Sequence, residues 1–95
     1  MTRGQKSKCR RIAEHYGRKN QERQAVSELC ELQYVLTRRL EQRHADWQND
    51  LLDEMADCLV MIEQLCTLYA ISDDELNERV NFKLNRQLER ITNGG

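Results

Sequence analysis

Proline is absent from all 95 residues, and glycine is confined to Gly4, Gly17 and the terminal Gly94–Gly95. Sheets and barrels need frequent turns, and turns draw on glycine and proline. A chain this poor in both folds as long helices with few connections. Helical periodicity agrees. Ala25, Leu29, Leu32, Leu36 and Leu40 recur at i, i+4, i+7, i+11 and i+15, and Leu76, Val80, Leu84, Leu88 and Ile91 repeat the pattern near the end. No strand-like alternation, internal repeat or low-complexity tract competes.

Punctuation divides the chain. Residues 1–7 read as a disordered basic start, and 8–92 as a single helical domain. A short helix over about 8–16 stops at Gly17, a suitable C-terminal glycine. A second helix runs over about 20–43. The stretch RHAD breaks it, and Asp46 is placed to cap a third helix over about 47–70. Ser72 followed by Glu75 makes an S-x-x-E capping box that opens a fourth helix to about Ile91. The fold class is all-α, a four- to five-helix bundle. A domain this short buries a modest share of its surface, so oligomerisation is expected to complete it.

Charge and cysteine usage narrow the function. The net charge of −1 conceals an asymmetry. Residues 1–23 hold eight Lys/Arg against Glu14 and Glu22, whereas residues 44–57 hold Asp46, Asp50, Asp53, Glu54 and Asp57 with no Lys or Arg. The basic start suits a solvated helix end better than a nucleic-acid surface. Cys9, Cys30, Cys58 and Cys66 lack a C-x-x-C pairing and sit in helical patterns as small apolar residues. That points to a reducing cytoplasm and to neither a disulfide framework nor a zinc site. No apolar run is long enough for a signal peptide or a membrane span.

The anomaly lies in the third helix. In LLDEMADCLVMIEQL, residues 51–65, Glu54 and Asp57 share a narrow stripe with Met61 and Leu65, and Asp50 joins one turn earlier. The second helix repeats the arrangement. ELCE at 28–31 holds Glu28 and Glu31 at i and i+3, with Glu28 in line with Leu32 and Val35. Buried carboxylates are costly unless positive charge meets them. The compensator is either Arg or Lys from a neighbouring helix or a divalent cation. Oxygen donors without His or Cys suit a hard ion, Mg²⁺ or Mn²⁺, which keeps water and takes phosphate oxygens as further ligands. Acids at i and i+3 also mark ordinary solvated helix faces. What sets these apart is that two pairs stand in core register on successive helices.

These segments resemble the all-alpha nucleoside triphosphate pyrophosphohydrolases, the MazG-like branch in particular. E-x-x-E is followed by E-x-x-D after 22 intervening residues. AVSELCELQ and DLLDEMADCLVMIEQL read like that family's two metal-binding helices. NFKLNRQL, residues 81–88, is similar to the family's N-x-K-F-x-R segment on a later helix. The likeness spans roughly residues 10–91. It implies that Glu28, Glu31, Glu54 and Asp57 are the catalytic metal ligands, holding Mg²⁺ (or Mn²⁺) against the phosphates of a nucleoside triphosphate. The implied reaction is hydrolysis between the alpha and beta phosphorus atoms to monophosphate and pyrophosphate, removing noncanonical or surplus (deoxy)nucleotides. Water is the nucleophile, so no Ser, Cys or His is required.

Lys83 and Arg86 share a helix face and suit phosphate contact. As surface cations they would equally serve as partners for Glu54 and Asp57. Asn81 matches the motif. Trp47, the sole tryptophan, opens the acidic helix, where it could stack on a base or cover a bundle end or subunit interface. His15 and His44 fall outside any ligand pattern. A nucleoside triphosphate substrate and a homo-dimer or homo-tetramer are the expected partners. The competing readings are a non-catalytic helical adaptor and nucleic-acid binding through residues 3–23.

Overall fold

The computed structural model describes residues 1–41 and 46–94, the side chains of residues 39–41 excepted. They form four helices: α1 (Arg3–Tyr16), α2 (Arg18–Glu41), α3 (Trp47–Leu68) and α4 (Asp73–Thr92). No strand occurs among the described residues.

The first helix begins earlier than periodicity suggests, so the segment 1–7, expected to be disordered, is helical from Arg3. A capping box explains it. The Thr2 hydroxyl accepts from the Gln5 N–H at 3.1 Å, and the Gln5 side chain accepts from the Thr2 N–H at 2.8 Å. Gly17 ends the helix in the left-handed region, φ 85°, with its N–H bonded to the Ala13 carbonyl. α2 starts at the next residue.

α2 packs mainly on α3, and α1 lies against both, more on α3 than on α2. The core where they meet is built mainly from small side chains, Cys9 and Ala13 of α1, Ala25 of α2, and Cys58 and Cys66 of α3, with the longer Met61 of α3 among them. Small residues let the helix axes approach closely. Two amides join this core. Gln21 donates to Gln64 at 2.7 Å, and Gln64 is 2% exposed. The buried face of α2 is turned from the one the leucines suggest. It follows Gln21, Ala25, Glu28, Leu32 and Val35, while Leu29 and Leu36 are exposed. The side chain of Leu40, and all of His44 with most of RHAD, lie outside the described residues. Asp46 takes the N-cap position of α3 but makes no side-chain cap bond.

The fourth helix departs furthest from expectation. Its Ser72–Glu75 capping box forms as read from the sequence. Its apolar stripe, expected to be buried, is exposed: Leu84 at 51%, Leu88 at 61% and Ile91 at 72%. α4 packs on none of the other helices. Lys6 ties its first turn to α1 by pairing with Asp73, and lies 3.9 Å from Glu63 of α3. The turn before it holds Ala70 at φ 53°, with the Ile71 N–H reaching back to the Cys66 carbonyl at 2.9 Å. This closure of α3 aims α4 outward. The radius of gyration is accordingly 16.1 Å, against about 12 Å for a compact chain of this length. No helix is long and apolar enough to cross a membrane among the described residues.

Candidate functional site

The antiparallel seam between α2 and α3 runs from the Gln21–Gln64 bond towards Glu28 and Cys58. One carboxylate oxygen from each of Glu28, Glu54 and Asp57 lies within 4.8 Å of the others. Glu54 and Asp57 are one turn apart on α3, and Glu28 faces them from α2. Ala25 and Cys58, both buried, bring the two backbones together here.

Two neighbours fix Glu28. The Cys58 thiol donates to its backbone carbonyl at 3.4 Å, and the Gln24 amide donates to its carboxylate at 2.8 Å. In the sequence Cys58 reads as a packing residue, and the one signal for Gln24 is its register, one turn before Glu28. Burial pushes the Cys58 thiol up from its ordinary pKa, and the charges of Glu28, Glu54 and Asp57 add to the effect. It therefore stays a protonated donor.

Glu54 bears the strain of the arrangement. Its Oε2 is buried and accepts no hydrogen bond. Burial raises its pKa first, and the charges of Asp57, Glu28, Glu31 and Asp53 raise it further. Among the described residues, the charges acting on it are all negative. Glu31 is exposed and stands outside the three-oxygen cluster, although its charge is felt there. Thus three of the four expected ligands converge and the fourth sits at the rim. Asp57 is also exposed, while Glu28 and Glu54 are half-buried, so the cluster opens to solvent on one side.

The cations expected beside these acids are elsewhere. Asn81, Lys83 and Arg86 lie exposed on α4, which does not pack on α2 or α3. The Lys83 ammonium sits 5.9 Å from the Phe82 ring. No ion pair to Glu28, Glu31, Glu54 or Asp57 forms among the described residues. Trp47 is half-buried in the first turn of α3, two turns before Glu54. His15 and Tyr16 are exposed and meet edge to face at 4.7 Å on α1, remote in sequence from the acids. No family model, curated protein or solved structure matches this chain.

Proposed function

We propose that Glu28, Glu54 and Asp57, with Glu31 at the rim, hold a hard divalent cation, Mg²⁺ or Mn²⁺, and that the protein hydrolyses (deoxy)nucleoside triphosphates to monophosphate and pyrophosphate. The observation that carries this reading is the partnerless, buried Oε2 of Glu54 among four other carboxylates. A carboxylate in that position is costly without a positive neighbour. An all-oxygen donor set with one buried oxygen lacking a partner fits a hard cation. The likeness of residues 28–31, 54–57 and 81–88 to the MazG-like pyrophosphohydrolases supplies the reaction.

When bound, such a cation neutralises the cluster, clamps phosphate oxygens and acidifies water. The protein's own groups do the rest. Gln24 and Cys58 hold Glu28 in place from its side chain and its backbone. The cluster opens to solvent beside Glu31, and there the attacking water gives up its proton. The water oxygen bonds to the alpha phosphorus. The bond from that phosphorus to the alpha–beta bridging oxygen breaks, and its electron pair leaves with pyrophosphate. Trp47 offers a face on which a base can stack.

The test is incubation with a panel of ribo- and deoxyribonucleoside triphosphates, with and without Mg²⁺ or Mn²⁺, resolving pyrophosphate from orthophosphate. Metal-dependent monophosphate and pyrophosphate, lost in Glu54→Gln, is the expected result. No turnover, with thermal stability indifferent to Mg²⁺, would overturn the reading in favour of a helical adaptor.

A further inference from the structure

α4 is divided lengthwise into three faces. Leu76, Val80, Leu84, Leu88 and Ile91 form an apolar stripe. Arg79, Lys83, Arg86 and Arg90, at i, i+4, i+7 and i+11, form a cationic stripe beside it. Glu75, Glu78 and Glu89 occupy the third face. All of α4 is exposed, and none of the four cations forms an ion pair among the described residues. The same chain carries, on α2 and α3, a carboxylate cluster that forms no ion pair among the described residues.

The exposed area indicates what covers these faces. The chain exposes 7875 Å². A folded monomer of 11.3 kDa exposes about 5,700 Å², so the excess is about 2,100 Å². A standard-size interface removes about 800 Å² from each partner, and an obligate one more. The excess is the size of an obligate interface, and much of it is apolar. On α3, Leu52 is 65% and Leu59 is 60% exposed. Leu59, Ile62 and Leu76 line the groove between that face and the first turn of α4, beside the charged Lys6, Glu63 and Asp73.

We propose that α4 of one copy docks on a second copy and sets its cationic stripe, Lys83 and Arg86 foremost, over the partner's Glu28–Glu31–Glu54–Asp57 site, so that each site is completed in trans. The occupant is a second copy because each chain holds both halves of the match: a cationic stripe and an acid cluster, neither of which forms an ion pair among the described residues. A two-fold axis makes the contact twice. A nucleic acid would meet the acidic third face of α4, which opposes it. The proposal rests on the acid cluster being the working site. It adds that the phosphate-facing cations come from the neighbouring copy and not from the chain that supplies the carboxylates.

The first test does not depend on turnover. Unlabelled and ¹⁵N-labelled protein are unfolded together, refolded and treated with a carbodiimide, which joins Lys83 to a carboxylate only at contact distance. Peptides joining Lys83 to Glu28, Glu31, Glu54 or Asp57 are expected with one label on each half. Same-label pairs alone would mean that α4 folds back about the 69–72 turn, and would overturn the proposal. So would the absence of such peptides, or sedimentation as a monomer. The second test mixes two inactive chains, Glu54→Gln and the double variant Lys83→Ala/Arg86→Ala, each first shown to keep wild-type helicity and assembly. Random pairing restores about a quarter of wild-type turnover if the site is shared, since half the dimers are mixed and each has one intact site. With a site built within one chain, turnover stays at zero. Mixed-label peptides from a protein that turns over no nucleotide would keep the shared contact and reject the enzyme. Turnover by the wild type with no mixed-label peptides and no restoration would do the reverse.

Discussion

Glu54 is the residue on which most depends. Its raised pKa means that the folded chain holds a proton that the unfolded chain has released, across the interval from the ordinary carboxylate value upward. Stability therefore falls as pH rises through that interval and returns on acidification. Urea midpoints measured from pH 4 to 7 should slope downward, and the slope should flatten in Glu54→Gln. That variant removes the burial cost of a charge and its repulsion from four neighbours. It should melt higher than the wild type without metal, and show none of the upward shift on adding Mg²⁺ that is expected of the wild type. Gln64 behaves in the opposite sense. Gln64→Ala leaves Gln21 unsatisfied and opens a void, at a cost of about 2–3 kcal/mol read from denaturant unfolding. The acids were legible in the sequence because a charge in apolar register contradicts its surroundings. Gln21 and Gln64 were not, because a glutamine at a core position is noticed only when its partner is known, and 43 residues separate this pair.

Among the elements, the termini that carry their own chemistry could be read and the faces could not. Gly17 and the Ser72–Glu75 box act locally, within one turn, and both stand as the sequence implies. The Thr2–Gln5 box is equally local, with Gln in the place that Glu takes in the Ser72–Glu75 box. Faces depend on packing partners. The leucines of α2 and α4 mark sides that are left largely exposed, Leu29 and Leu36 on one and Leu84 and Leu88 on the other, because the chain alone supplies too little surface to bury them. The turn from α3 to α4 illustrates the cost of direction. Ala70 sits at φ 53°, where a Cβ is disfavoured and glycine is not. Ala70→Gly should raise stability by about 0.5–1 kcal/mol, the relief of strain exceeding the added freedom of the unfolded chain. Thermal melts of the two proteins would show it. A loss of stability would mean that this backbone angle is not held in solution.

For the whole molecule, the disparity between a small core and a large exposed surface is the governing fact. Leu84→Asp/Leu88→Asp places two charges on the apolar stripe without touching the core of α1–α3. It should leave helicity nearly intact while lowering the sedimentation coefficient to that of a monomer, as the docking proposed for α4 requires. An unchanged sedimentation coefficient would mean that the stripe faces water in solution. Oligomerisation was expected from length and composition, but no periodicity could have foretold that the last helix stands apart. That outcome follows from the turn geometry and from the Lys6 pairing, neither of which leaves a mark in a hydropathy pattern. A 20-residue helix held only at its base is also a lever about 30 Å long. A rotation of about 10° at the turn carries its far end through about 5 Å, and Lys83, midway along, through half of that. Small torsional adjustments at residues 69–72 are thereby converted into displacements as large as a side chain, growing steadily from Leu76 to Ile91.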